Sequence, residues 1–371
     1  MINPERLLQE FIELVQIDSE TKYEREICNV LKMKLSEMGL TVVEDQSSSR
    51  TGHGAGNLIA TLEGSHPGDT IYFTSHMDTV TPGKGVQASV KDGYVVSDGT
   101  TILGSDDKAG IAAILEGIRT IKENNLPHST IQIVITVGEE SGLIGAKALQ
   151  PDLLKAQYGF ALDSNGKVGD IIVSAPTQAK LKVVVHGKAA HAGVNPEDGI
   201  SAIQVASRAI MRMPLGRIDE DTTANVGIIE GGKATNIVCP RVDFVAEARS
   251  LIEEKMAAQI EKMKKALRDT AAEFKTQIDV DVKVMYPGFK LSEADLVVQK
   301  AIAALNKVGR KPRLLSSGGG SDANVISGFG IPTVNLAIGY EEIHTTSERI
   351  PVEELNKAAE LIVGLATVAL K

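Results

Sequence analysis

The sequence contains no tryptophan, and aromatic residues make up only 4% of its 371 positions. Any core it builds is therefore aliphatic. It has two cysteines, Cys28 and Cys239, far apart in the chain. Two such residues supply no disulfide framework and suit a reducing compartment. No apolar run approaches the roughly 20 residues needed to cross a bilayer. Lysine and arginine form no cluster and the net charge is −9, so a nucleic-acid partner lacks the basic footprint it requires. The opening stretch MINPERLLQEF reads as an amphipathic helix with an early Pro and Glu, not as a secretory signal. The expectation is a soluble, cytoplasmic protein with neither membrane nor nucleic acid as partner.

What is present is ordinary for a globular chain: 43% hydrophobic and 23% charged residues. The length exceeds that of one average domain, so two are expected. Leu7, Leu8, Phe11, Leu14 and Val15 recur at helical spacing, as do Ile27, Val30, Leu31 and Leu35. Strands are expected at 40–43, 57–62 and 70–74, and the polar, Gly-rich 44–56 as a loop. From 107 onward a helix (109–121), a fully apolar strand (130–137), a helix (143–149) and a strand (158–162) follow. Apolar strands between helices predict a sheet covered on both faces.

The texture changes near residue 177. Alternating strands at 179–185, 224–229, 241–248 and 277–284, with helices at 200–211 and 251–271, give the order strand-helix-strand-strand-helix-strand. That order fits a ferredoxin-like unit. Tyr286-Pro287-Gly288 reads as the linker back, followed by a helix (293–307), a strand (333–336) and a closing helix (351–370). One α/β domain, 1–176 with 288–371, is thus interrupted by a smaller α+β insertion, 177–287.

Charged groups sit where the apolar segments stop. His76 and Asp78 end SHMD, Asp106 and Asp107 lie in GSDDKAG, and Glu139 and Glu140 lie in GEESG. Asp163 follows an apolar strand, and His344 stands in IHTTSE. Each alone has a bland reading as a turn residue, a helix cap or a surface group. In an open α/β sheet, however, ligands bind beyond the carboxyl ends of strands. Six of these eight groups are acidic, and in one cleft they would repel unless a cation held them. Imidazole with carboxylate suits zinc, cobalt or manganese better than calcium or magnesium, and no cysteine is near enough for a structural zinc finger. Two histidines, each with a carboxylate, and one carboxylate left to bridge match a two-metal hydrolytic site. Asp78, two residues beyond His76, can orient its ring through the second nitrogen. Either Glu139 or Glu140 could ligate while the other faces a substrate.

HMDTV, GSDDKAG, GEESGLIGA, ALDSNG, HGKAAHAG, GGGSDAN and HTTSE occur in the order found in the dinuclear zinc exopeptidases. The chain resembles that family of tripeptidase T, glutamate carboxypeptidase, aminoacylase and acetylornithine deacetylase over essentially its whole length. LGSDDKAG and GEESGLIGAK are most similar to the tripeptidase T-like branch. The resemblance implies an α/β catalytic domain with a mixed sheet, and an inserted lid that pairs subunits. It implies two zinc ions, with Co2+ or Mn2+ as possible substitutes: His76 and Asp163 on one, Glu140 and His344 on the other, and Asp106 bridging. Glu139 would be the general base, assisted by Asp78.

The resemblance also implies that His191 of HGKAAHAG, Asn236 of ATNIVCP and Arg249 of EARS bind substrate. A covered, unpaired Arg249 would be costly, and a substrate carboxylate would satisfy its fork. The Gly-rich stretch around Gly319 lacks the lysine and spacing of a P-loop. Its backbone N–H groups suit a peptide carboxylate or carbonyl better than a nucleotide. The expected activity is tripeptide aminopeptidase on short peptides. An N-acyl amino acid deacylase or a carboxypeptidase could use the same centre, and a non-catalytic metal-binding scaffold is the reading from another class. An exposed edge strand in the lid predicts a homodimer.

Overall fold

The computed structural model describes residues 1–370, which divide into two units. The larger comprises Met1–Ser174, Leu291–Ser317 and residues 321–370. Its sheet runs in the order Thr41–Glu44, Leu58–Leu62, Ile131–Thr136, Ile71–His76, Tyr158–Ser164, Thr333–Ala337 and Asp170–Ala175. Ile71–His76 is parallel to both its neighbours, whereas Thr41–Glu44, Leu58–Leu62 and Ile131–Thr136 pair antiparallel. The sheet is therefore mixed. Its middle strands, IYFTSH, IQIVIT and TVNLA, are buried along their whole length. They carry no polar alternation because both faces are covered.

Helices Pro4–Val15, Arg25–Glu37, Ser105–Glu123, Leu296–Lys307 and Val352–Val368 contribute to the main core. Ser105–Glu123 is buried over most of its length because it lies between the sheet and Val352–Val368. Ile59, Tyr72 and Val134 point to the opposite face and pack with Leu149, Leu154, Ala156 and Ile326. There Tyr72 lies over Gly159 of the adjacent strand, and its hydroxyl meets Thr333 Oγ1 at 2.5 Å. A Cβ on Gly159 would stand 1.9 Å from the Tyr72 ring. Gly159→Ala is expected to cost about 1–3 kcal/mol or more, the usual penalty for overpacking a filled core. Chemical denaturation of wild type and variant measures it, and equal midpoints would show that the ring moves freely.

The second unit comprises Ala175–Lys290 with Gly318–Gly320. Its antiparallel sheet is ordered Gly216–Arg217, Thr222–Gly231, Arg241–Ser250, Thr177–His186, Ile278–Tyr286. The four long strands take the spatial order of a ferredoxin-like unit. Residues alternate cleanly along Arg241–Ser250, where Val242, Phe244, Ala246 and Ala248 face helices Ala202–Arg212 and Glu253–Phe274. Both cysteines are buried free thiols, one in each unit.

The structure adds elements that periodicity does not reveal. Ser89–Lys91, Tyr94–Val96 and Arg349–Pro351 form a small sheet of their own. Three-residue strands are too short to show a period. The expected loop 44–56 contains the one-turn helix Ser47–Thr51. No helix among the described residues is long and apolar enough to cross a membrane.

Candidate metal centre

The centre lies at the carboxyl ends of the parallel strands. Ile71–His76 ends in the first imidazole, and Tyr158–Ser164 carries Asp163. Asp106 and Asp107 occupy the first turn of Ser105–Glu123, with non-helical backbone angles and a cis peptide bond between them. After Ile131–Thr136 the chain turns at Gly138, whose φ is +59°. A Cβ there would lie 2.3 Å from His53 Nε2, so the turn accepts glycine on both conformational and steric grounds. Glu139 and Glu140 follow directly.

These groups meet around Asp106. Its Oδ1 lies 3.1 Å from His76 Nε2 and its Oδ2 lies 3.2 Å from His344 Nε2. His344 Nε2 is also 3.0 Å from Glu140 Oε1, and His76 Nε2 is 3.8 Å from Asp163 Oδ1. Two sets of three ligand atoms lie close enough to share an ion: His76, Asp106 and Glu140, and His76, Asp107 and Asp163. His76, Asp106 and Asp107 are buried, while His344 is about half exposed.

The surroundings orient each group. His76 Nδ1 lies 2.9 Å from the main-chain carbonyl of Asp78, closer than the 3.5 Å to that residue's carboxylate. The Asp78 carboxylate accepts hydrogen bonds from the Thr21 hydroxyl at 2.7 Å and the Glu139 N–H at 3.0 Å. It thereby holds the turn that carries Glu139. Tyr340 donates its hydroxyl to Asp163 Oδ1 at 3.1 Å, and Asn335 Oδ1 accepts the Asp163 N–H at 2.9 Å. Asn57 staples both ends of the Glu139–Glu140 turn, since Oδ1 accepts from Val137 N–H and Nδ2 donates to the Gly145 carbonyl. Asn57, Asn335 and Tyr340 leave no trace in the sequence. The partners through which they reach the centre lie 80 or more residues away.

The electrostatics fit a cation. Burial, with the Asp163 charge next, raises Asp107 and Glu139 well above the ordinary carboxylate range. Burial, together with Asp106, Asp322 and Glu140, likewise raises Asp163. Burial opposes a charged His76, but its hydrogen bonds to Asp106 and Asp78 outweigh it and raise its proton affinity. Hydrogen bonds to Asp106 and Glu140 raise His344 to about 10. Without another positive charge, this cluster must hold protons to remain together. Both oxygens of Asp107 are buried with no hydrogen-bond partner among the described residues. Asp322 is buried beneath the same cluster, and one oxygen is bonded to Thr136 Oγ1. Carboxylates in excess of their donors, beside two imidazoles, form a donor set suited to divalent transition metals.

The remaining candidates belong to the second unit. His191 bridges Ile237, and the Ala192 N–H donates to the Asn236 carbonyl at 3.0 Å, so His191 and Asn236 are neighbours. Arg249 donates to Glu247 Oε1 at 3.0 Å and to the Gly318 carbonyl at 3.3 Å, next to Gly319. Its guanidinium is thus partly satisfied without a substrate. Glu247 projects from the same face, two residues earlier.

The sequence profile of peptidase family M20/M25/M40 matches residues 72–367, which include every candidate metal ligand and Glu139. The chain belongs to that family. It is a hydrolase of the exopeptidase type, and the family binds two metal ions. The fold matches the crystal structure of an aminopeptidase PepT from Bacillus cereus ATCC 10987. Identity to it is 62%, the TM-score is 0.94 and both chains are covered fully. A tripeptidase from Staphylococcus aureus subsp. aureus Mu50 is 48% identical, with a TM-score of 0.96 over 100% of this chain and 99% of that one. The protein YqjE of Bacillus subtilis (strain 168) is 62% identical over the full length of both. This member of the M20 family therefore carries the fold class and peptidase activity that its motifs imply.

Proposed function

We propose that the chain is a cytoplasmic tripeptide aminopeptidase working with two zinc ions. The observation that carries this reading is the Asp106 carboxylate, with one oxygen toward His76 and the other toward His344. That arrangement suits a bridge between two ions. His76 and Asp163 would hold one and Glu140 and His344 the other. Co2+ or Mn2+ are chemically admissible substitutes. Bound in this way, such ions acidify water and polarise a carbonyl.

The protein's own residues do the rest. Glu139, fixed through its N–H by Asp78, takes the proton of the attacking water and hands it to the leaving amine. Asp78 keeps the His76 ring oriented through its carbonyl, which sets which nitrogen faces the cluster. His191, Asn236, Arg249 and the backbone at Gly319 are the substrate-binding candidates of the ferredoxin-like unit, a role their motifs suggest by resemblance to the family. The ferredoxin-like unit pairs two subunits through an exposed strand edge. The names of the similar B. cereus and S. aureus proteins, an aminopeptidase and a tripeptidase, support the choice of substrate.

A panel of free tripeptides, dipeptides, N-acetylated tripeptides and N-acetyl amino acids tests the reading. Free tripeptides should be cleaved at the first bond, and acetylation of their amine should suppress cleavage about a hundredfold or more. A site that hydrogen-bonds a polar group discriminates on that scale when the group is altered. Faster turnover of N-acetyl amino acids would make the protein a deacylase.

A further inference from the structure

His344 stands on a largely exposed segment. Of residues 341–349, Glu348 alone is buried, at 2% exposure, and His344 itself has a left-handed φ of 62°. The segment closes on itself through backbone pairing of Glu341 with Arg349 and joins the strand Tyr94–Val96 at Arg349; apart from His344 itself, what ties it to the Asp106 turn is the Glu348 carboxylate. Oε2 accepts the Leu103 N–H at 2.9 Å and the Gly104 N–H at 2.8 Å. Oε1 accepts the Ser105 hydroxyl at 2.6 Å and the Asp106 N–H at 3.0 Å. Four donors meet the four acceptor positions of an ionised carboxylate. They come from the start of helix Ser105–Glu123, where N–H groups have no partner within the helix and a negative charge is favoured.

We propose that Glu348 is a positioning residue. It locks the His344 segment to the Asp106 turn and so fixes the distance between two metal ligands far apart in the chain. This rests on the two-ion reading above. Two features of the geometry support it. One bond of the carboxylate is to the amide of Asp106 itself, and Glu348 lies four residues after His344 on the same loop. A carboxylate serving only as a helix cap would not need to come from the ligand-bearing segment, about 240 residues on. Glutamine cannot replace it, because its NH2 group would face donors instead of accepting from them.

The test is calorimetric titration of Zn2+ into metal-free wild type, Glu348→Gln and Ser105→Ala, with melting temperatures of the metal-free and metal-loaded proteins and kcat and KM on a tripeptide. Wild type should bind two ions. Glu348→Gln should bind the weaker ion about 10–100-fold less tightly, the usual effect of losing a group that orients ligands. Its kcat should fall, its KM should stay within about twofold, and its metal-free melting temperature should fall, because buried donors lose their acceptor, but by less than the metal-loaded one. If Glu348→Gln does not fold, Ser105→Ala removes one of the four donors and should show a smaller loss in the same direction. Two ions in wild type with unchanged affinity in the folded variants would overturn the role of Glu348. So would a loss matched by an equal fall in metal-free stability. Wild type that binds fewer than two ions would instead overturn the two-ion reading itself.

Discussion

Glu139→Gln should still bind two equivalents of divalent metal and lose roughly 10²–10⁴-fold of turnover, the range for removing a positioned proton-transfer group. The substitution keeps the size and shape of the side chain and takes away its capacity to accept a proton. The turn should not collapse, because its hold on Asp78 runs through the backbone N–H of residue 139, and Asn57 fastens both ends. KM should change little if Glu139 acts mainly in the transition state. Metal analysis after dialysis, with single-turnover kinetics on a tripeptide, separates the two quantities. Normal turnover would remove Glu139 from the role of base, and loss of metal would place it among the ligands.

Asp106→Ala should be more damaging still, because one side chain serves both halves of the cluster. The contacts at 3.1 Å to His76 and 3.2 Å to His344 both disappear. Both ions should then be held weakly, and activity should fall by more than the roughly 10²–10⁴-fold expected for loss of the base alone. His344→Ala provides the contrast, since it should weaken one ion and leave the other bound. Metal stoichiometry by elemental analysis, taken across a dilution series, checks this. Loss of a single ion in Asp106→Ala would mean that Asp106 does not bridge.

Much of this was legible in the sequence because charged residues at the ends of apolar strands have few packing reasons to be there. Ile71–His76 and Tyr158–Ser164 announce themselves by unbroken burial-type composition, and the polar groups beyond them mark one edge of the sheet. The ferredoxin-like order followed from alternation, which survives wherever a sheet has only one covered face. What escaped were side chains whose partners are distant in sequence. Asn57 looks like the start of a strand, Tyr340 like core, and Glu348 like the polar end of a turn. Their meaning depends on hydrogen-bond partners 80 to 245 residues away. Arg249 shows the reverse failure. A charge that seemed to need a substrate has Glu247 on the same strand. Short strands such as Tyr94–Val96 were invisible because three residues define no period.

The interleaving of the larger unit has a consequence for how the polypeptide is made. Tyr158–Ser164 pairs on one side with Ile71–His76, but its other neighbour, Thr333–Ala337, is encoded some 170 residues later. While the ribosome synthesises the ferredoxin-like unit, the emerging amino-terminal half holds a long apolar strand with one hydrogen-bonding side uncovered. Such an edge invites pairing with other nascent chains. His344 emerges later still, so the metal ligands are complete only after the whole ferredoxin-like unit has been made.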